Sequence, residues 1–246
     1  MRVLVVDDET LARDFLAEQL AGIADVELIG QAANGFEAVK LAEELAPDLM
    51  LLDVQMPKLS GFEVLELLGV RAPAVVFITA FDEFALRAFE VHAVDYLLKP
   101  VEPARLAGAV ARAAERLKSR APGPSAQALA ATARPPGRTL ERVLIREEGR
   151  VHVLPAERID FVEAQDDYLC FVSGGKRQRK QQTMAEIEAQ LDRSRFVRIH
   201  RSFLLNVERL ARIEPYAKDS WLAILTDGRK LPVSRTGYLR LKELIG

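Results

Sequence analysis

Three carboxylates, a hydroxyl and an ammonium in the first hundred residues each follow a short run of aliphatic side chains. Asp7-Asp8 follow Val3-Leu4-Val5-Val6, and Asp53 follows Leu49-Met50-Leu51-Leu52. Thr79 follows Val75-Val76-Phe77-Ile78, and Lys99-Pro100 follow Tyr96-Leu97-Leu98. A carboxylate that accepts a phosphoryl group needs a divalent cation to offset charge on the phosphoryl oxygens and to orient in-line attack. Mg²⁺ takes few protein carboxylates and keeps several waters, which suits two adjacent acids and a third from another strand. Clustered carboxylates without a cation repel one another. Lys99 can neutralise a transferred phosphate as a point charge, and Thr79 can donate a hydrogen bond to it. Singly, each residue is ordinary, since Asp after a strand is commonly a helix cap or a turn residue. Their joint placement predicts a cation-dependent phosphorylation site.

Such convergence needs elements that end at one place. Buried parallel strands read as continuous apolar runs, and in an open α/β sheet ligands bind beyond the carboxyl ends of the strands. The pattern predicts strands near 2–6, 26–32, 48–53, 74–79 and 94–98, separated by amphipathic stretches such as Leu11–Leu20 and Phe36–Leu45. A last helix is expected over Pro103–Lys118, with proline in its first turn where a missing N–H costs nothing. Five strands alternating with helices predict a doubly wound parallel sheet over residues 1–120. Residues 121–139 read as an Ala/Pro-rich linker, whose alanine-rich centre could extend the preceding helix. From 140 to 246 the pattern changes to short strands with tight turns, a mostly β domain. Glu148-Gly149-Arg150, Gly174-Gly175 and Asp227-Gly228 are hairpin signals, and short helices are expected at Met184–Leu191 and Thr236–Ile245.

A chain of 246 residues, 49% hydrophobic and 28% charged, is long enough for two soluble domains, each with its own core. The one cysteine, Cys170, lies in the run Tyr168-Leu169-Cys170-Phe171-Val172. Without a second cysteine it reads as a buried structural thiol rather than a nucleophile or ligand, which fits a reducing cytoplasm. Four apolar residues before Asp7-Asp8-Glu9 are too few for a signal sequence, and no run approaches the ~20 apolar residues of a membrane span. The net charge of −2 conceals an asymmetry. Residues 1–137 carry 13 Lys+Arg against 20 Asp+Glu (−7), and residues 138–246 carry 21 against 16 (+5). The second half therefore suits a polyanion, although +5 is also an ordinary solvated surface. Lys176-Arg177-Gln178-Arg179-Lys180 is a dense basic run, readable as a nucleic-acid contact or as an edge strand protected by lysine. Arg198-Ile199-His200-Arg201-Ser202 alternates, which predicts Arg198, His200 and Ser202 on one strand face and Arg201 on the other. His92 and His152 read as packing or surface residues.

Val6-Asp7-Asp8-Glu9, Leu52-Asp53-Val54-Gln55-Met56-Pro57 with Gly61, Ile78-Thr79-Ala80 and Asp95-Tyr96-Leu97-Leu98-Lys99-Pro100 carry a resemblance. Residues 1–120 resemble the receiver domain of bacterial two-component response regulators, a flavodoxin-like fold. The resemblance implies Asp53 as phospho-acceptor and a Mg²⁺ held by Asp8, Asp53 and the carbonyl of Gln55, with Asp7 acting through water. It implies phosphate contacts from Thr79 and Lys99, and a cis Lys99–Pro100 bond. Tyr96 matches the aromatic switch position that swings inward when Thr79 moves, though a plain core role is the other reading. Receivers catalyse only their own phosphotransfer from a sensor histidine kinase and their own dephosphorylation, so no separate enzyme activity is expected.

The string Phe196-Val197-Arg198-Ile199-His200-Arg201-Ser202-Phe203-Leu204-Leu205-Asn206 resembles the signature of the LytTR DNA-binding domain, and Val233-Ser234-Arg235-Thr236-Gly237-Tyr238 its closing motif. This resemblance implies contacts to promoter DNA from Gln165, Asp167 and Tyr168, from His200, Arg201 and Ser202, and from Arg235. The run Lys176, Arg177, Arg179 and Lys180 joins them as a candidate. Arginine suits bidentate reading of guanine, and His or Ser suits phosphate or base edges. Asp166-Asp167 departs from the pattern, because two acids in a DNA-facing loop repel phosphate. Together the two resemblances imply a cytoplasmic response regulator of the LytR/AlgR type. Phosphorylation would favour a homodimer through the fourth-helix and fifth-strand face, pairing two DNA-binding domains on adjacent half-sites. The competing readings are a phosphorylation-gated module whose β domain binds a protein, and a receiver-driven cyclic-nucleotide synthase. Gly174-Gly175-Lys176 lacks the acids a cyclase needs after its glycines.

Overall fold

Each aliphatic run of the first half is a strand: β1 (Arg2–Val6), β2 (Glu27–Ala32), β3 (Leu49–Leu52), β4 (Ala74–Thr79) and β5 (Asp95–Leu98). In the computed structural model the described residues are all but 83, 86, 87, 89, 90, 120–138, 148, 149, 218, 219 and 246, and the side chains of 150 and 217. The strands form one parallel sheet in the order β2-β1-β3-β4-β5. Val6 pairs with Leu52, and Leu52 with Phe77. The residues that follow, Asp7 and Asp53, therefore leave the sheet side by side. They do so between β1 and β3, where the strand order reverses and a ligand crevice opens in folds of this type.

Helices α1 (Thr10–Ala21), α2 (Gly35–Leu45), α3 (Gly61–Leu68) and α4 (Pro103–Lys118) cover the sheet. Asn34 caps α2 through Glu37, and Ser60 with Glu63 forms a reciprocal capping box on α3. Leu106, Ala109, Val110 and Ala113 recur at helical spacing on α4 and are buried against Val3, Val5, Leu49, Leu51, Val76 and Ile78. Strands buried from both faces explain why β1 and β3 read as unbroken apolar runs. The expected fourth helix, between β4 and β5, falls partly outside the described residues. So does the expected linker, apart from Thr139.

Contacts divide the chain into two units, Met1–Pro135 and Pro136–Gly246. The second contains β6 (Arg142–Glu147), β7 (Arg150–Pro155), β8 (Phe161–Gln165), β9 (Tyr168–Ser173) and β10 (Lys176–Lys180), then helix α5 (Met184–Gln190). After it come β11 (Phe196–His200), β12 (Phe203–Asn206), β13 (Leu210–Ala217), β14 (Ser220–Leu225), β15 (Lys230–Ser234) and helix α6 (Arg235–Ile245). Five antiparallel strands in the order β10-β9-β8-β12-β11 make a central sheet. One face presents Val162, Leu169, Phe171 and Leu204 to Val143, Ile145 and Ile187. The other presents Phe161, Cys170, Val172 and Leu205 to Ala223, Leu225, Leu231, Val233 and Leu241. Period-two alternation thus feeds two cores at once, and Cys170 is buried in the second. Gly174 and Gly175 both take positive φ (53° and 80°) at the β9–β10 turn, the conformation a two-residue hairpin of this hand requires. The expected Glu148-Gly149 turn lies outside the described residues. No described helix is long and apolar enough to cross a membrane.

Candidate functional site

At the carboxyl edge of the parallel sheet, Lys99 Nζ lies 2.8 Å from Asp53 Oδ2 and 2.7 Å from Asp7 Oδ2. Asp7 is 1% exposed and Asp53 5%, whereas Asp8 is open to solvent. Carboxylate oxygens of Asp7, Asp8 and Asp53 lie within 4.8 Å of one another. This all-oxygen set, with one exposed member, fits a hard divalent cation that keeps part of its water shell. Backbone N–H groups steady the acids: Glu9 donates to Asp7 Oδ1 at 3.0 Å, and Gln55 to Asp53 Oδ1 at 3.1 Å. Gln55 thus lies beside the cluster through its main chain. Thr79 is fully buried at the end of β4, and its hydroxyl has no hydrogen-bond partner among the described residues. A buried hydroxyl left unpaired is costly, so the site carries a donor whose acceptor arrives from outside.

The electrostatics point the same way. Burial pushes the Asp7 carboxyl above its usual range, against the opposing pull of the Lys99 ammonium and the Glu9 N–H. Burial alone would lower Lys99. Hydrogen bonds and charge from Asp53 and Asp7 outweigh it and hold the ammonium well above its ordinary value. Two desolvated carboxylates thus share one cation from the protein, which leaves net negative charge for a metal to balance.

Two supporting residues were given no role from the sequence, although Gly61 belongs to the motif that carries the receiver resemblance. Arg13, on the first turns of α1, donates from Nη1 to the carbonyl oxygen of Asp7 at 2.7 Å and from Nη2 to Thr10 Oγ1 at 3.1 Å. It fixes the peptide from which Asp8 departs. An arginine near a helix N-terminus opposes the helix dipole, and that anomaly was the available signal. Gly61 opens α3 with its N–H on the Val54 carbonyl at 2.9 Å. A Cβ there would sit 2.4 Å from the carbonyl oxygen of Asp53. Only glycine lets α3 start this close to the acceptor residue.

The Lys99–Pro100 bond is cis. Tyr96 is half-buried, its ring 6.4 Å from that of Phe77, and its hydroxyl donates to the carbonyl of Phe81. That bond ties β5 to a residue two positions beyond Thr79. A shallow cavity of about 410 Å³ beside it is lined by Asp82, Leu97, Leu98 and Arg105.

In the second unit the candidate DNA residues fall into two groups. Asp166-Asp167 form the β8–β9 turn, with Asp166 in the left-handed region at φ 49°, and Tyr168 is 47% exposed beside it. The Ala164 N–H donates to the Ser202 carbonyl at 2.9 Å, which sets the β11–β12 turn next to the end of β8. Ser234 accepts from the Gly237 N–H at 3.1 Å and donates to the Ile199 carbonyl at 3.1 Å, which brings the start of α6 onto β11. Gln165, Asp167, Tyr168, His200, Arg201, Ser202 and Arg235 thus gather at one end of the central sheet. Gln165 also donates to Glu163. The basic run forms β10, the edge strand opposite β11, and Arg177 is bonded to Glu163. Lys176, Arg179 and Lys180 share that edge, with three strands between them and His200.

The expected alternation over 198–202 does not hold. A bulge between Arg198 and His200 shifts the register, so that Arg198 opposes Leu204 and His200 opposes Phe203. Adjacent residues of β12 face opposite ways, and so do Arg198 and His200. The strand then ends, and Arg201 and Ser202 are turn residues. Burial, then the Arg201 charge, hold the His200 imidazole below its usual pKa.

A model of the response regulator receiver domain matches residues 3–111, and one of the LytTr DNA-binding domain matches residues 149–246. The chain is 36% identical over 248 residues to the transcriptional regulatory protein BtsR of Salmonella typhi, covering 100% of this chain and 99% of that one. With the same coverage of both chains it is 35% identical over 247 residues to a response regulatory protein of Vibrio cholerae. It is 33% identical over 248 residues to the sensory transduction protein LytT of Enterococcus faecalis, again over 100% and 99%.

Proposed function

Because the chain belongs to the response regulators that join a receiver domain to a LytTr DNA-binding domain, we propose that Asp53 accepts a phosphoryl group from a sensor histidine kinase and thereby controls promoter binding. The protein is a phosphorylation-dependent, DNA-binding regulator of transcription. The observation that carries the site assignment is Lys99, 2.8 Å from Asp53 and 2.7 Å from Asp7 beside the unpaired Thr79 hydroxyl.

A carboxylate oxygen of Asp53 attacks the phosphorus, an acyl–phosphate bond forms, and the P–N bond to the donor imidazole breaks. The departing imidazole takes a proton from solvent. Asp8, Asp53 and the Gln55 carbonyl would hold Mg²⁺, with Asp7 acting through water, and the ion would offset charge on the phosphoryl oxygens. Lys99 leaves its ion pair with Asp53 to face the new phosphoryl oxygens, and Thr79 donates its free hydroxyl. Receiver chemistry goes no further than loading and losing this group. The assignment of the second unit's contacts follows the same reasoning: Arg201 and Arg235 reach DNA with His200 and Ser202, while Gln165, Asp167 and Tyr168 form the neighbouring loop. Lys176, Arg179 and Lys180 supply charge along the edge, with Arg177 held partly by Glu163. Phosphorylated receivers pair as a homodimer, and the protein works in the cytoplasm. The reading of the β unit as a protein-binding module is not favoured, given its match to the LytTr model.

The acceptor assignment is tested with a small-molecule phosphoryl donor and Asp53→Asn. Loss of a Mg²⁺-dependent, acid-stable and base-labile phosphoryl adduct is expected, and an undiminished adduct would overturn it.

A further inference from the structure

We propose that the hollow between the β11–β12 turn and the start of α6 holds a DNA backbone phosphate, and that Glu188 of α5 keeps this subsite partly neutralised. The proposal rests on the DNA-binding reading and adds a site and a charge brake to it. The hollow, about 240 Å³, is lined by Arg198, His200, Arg201, Ser234, Thr236 and Arg240, with Gly237 at its floor. Three guanidinium groups and no carboxylate line it. Only one carboxylate, that of Glu188 behind the lining, offsets these three cations, so the hollow keeps an excess of positive charge that suits an anionic ligand.

Its donors are specific. His200 Nδ1 accepts the Ser202 N–H at 3.2 Å, so the neutral ring carries its proton on Nε2, where it can be donated. Arg198 also donates from Nη2 to the Arg201 carbonyl at 3.0 Å, bracing the turn that presents Arg201. Among the described residues Arg201 has no acidic partner. It lies at the sheet end that also carries Arg235, which is why a phosphate of duplex DNA is the occupant rather than a free anion.

Glu188 lies behind this lining. Its Oε2 is 3.2 Å from Arg198 Nη1 and its Oε1 is 3.6 Å from Arg240 Nη1. One carboxylate therefore occupies two of the three arginines. A phosphate in the hollow must share them with it or displace it, and a negative charge stays beside the bound phosphate throughout. Glu188 lowers affinity and has no counterpart in base recognition, so its effect is independent of DNA sequence.

The test uses the full-length protein and a random-sequence DNA duplex over a salt series. Wild type should give a negative slope of log K against log salt. Glu188→Gln should bind roughly fivefold tighter, the gain from removing one charge a few ångströms from a phosphate across water. Arg240→Ala should make the slope shallower by about 0.9, the value of one phosphate contact. Arg240→Lys should restore it, which separates lost charge from lost structure. Binding by Glu188→Gln no tighter than wild type, or an unchanged slope for Arg240→Ala, would overturn the subsite while DNA binding stands. A flat slope for wild type would instead remove the DNA-binding reading and this subsite with it.

Discussion

Lys99→Ala should destabilise the receiver unit by an amount that depends on both cation and pH. The ammonium is the partner of two carboxylates whose side chains are 1% and 7% exposed. Breaking a buried ion pair by removing one partner costs about 3–5 kcal/mol. The low end applies here, because Asp8 is solvent-exposed and water reaches the rim of the cluster. About 3 kcal/mol lowers the midpoint of a unit of this size by roughly 12 °C. Mg²⁺ bound to the native state alone should return about 2.7 kcal/mol to the variant at a hundredfold excess over its Kd, so its midpoint with the metal should approach that of metal-free wild type. The pH dependence has a definite sign. Asp7 already has its native pKa raised by burial, and removing Lys99, whose hydrogen bond and charge oppose that rise, raises it further. A raised native pKa means stability that is present below the unfolded value near pH 4 and lost as pH rises through the native one. The variant should therefore approach wild type as pH falls toward about 4 and diverge above it. Calorimetric melting of both proteins, with and without Mg²⁺, reads all three effects. A metal-free variant melting within a degree or so of wild type at pH 7 would refute the claim that these acids are desolvated and share one counter-charge.

Arg13→Ala should weaken Mg²⁺ binding by roughly tenfold, the usual effect of losing a group that orients metal ligands; calorimetric titration with Mg²⁺ measures this, and phosphoryl uptake at saturating Mg²⁺ should change little. Gly237→Ala should unfold or severely weaken the second unit, since the new Cβ would lie 1.9 Å from the Ile199 carbonyl; a melting loss below about 1 kcal/mol would show that α6 can shift freely. Tyr96→Phe removes the donor to the Phe81 carbonyl and should cost the receiver about 1 kcal/mol while leaving the rate of Asp53 phosphorylation near wild type, as measured by melting and by uptake from a small donor.

How far the sequence reveals this architecture depends on which faces of each sheet are buried. In the parallel sheet β1, β3 and β4 are covered on both sides, so their apolar runs end abruptly where the sheet ends and Asp7, Asp53 and Thr79 stand out at those points, while Lys99 follows the partly covered β5. Their mutual distances follow from strand order alone. Arg13 was marked only by its place against the helix dipole, because its contact is to a carbonyl and that partner leaves no trace in the sequence. The central antiparallel sheet is also covered on both faces, but by two different cores, so its alternation shows little contrast between apolar and polar. The bulge at β11 has no glycine to mark it, and the turn at Asp166 takes a left-handed residue where glycine would have been the signal. An ion pair such as Glu188 with Arg240 joins elements far apart in sequence, and charge counts alone do not reveal it.

The magnitude available to the proposed switch is bounded by the same contacts. A phosphoryl group on Asp53 gains a hydrogen bond from Thr79 and the charge of Lys99, while the present Lys99–Asp53 pair is given up. A charge-assisted hydrogen bond contributes about 1.5–3 kcal/mol, so the net preference for a state with Thr79 drawn toward the phosphate is about 2–3 kcal/mol. Moving a two-state equilibrium from 10:90 to 90:10 takes about 2.6 kcal/mol, and from 1:99 to 99:1 about 5.5. Phosphorylation of one chain therefore suffices only if the active arrangement is already populated at several per cent. Thr79 lies two residues before Phe81, whose carbonyl holds Tyr96, so displacement of Thr79 and the position of Tyr96 are mechanically joined. A sharper response than this one site supplies has to come from a second coupled equilibrium. The proposed pairing of two phosphorylated chains would provide one, because each dimer would add the preference of both sites.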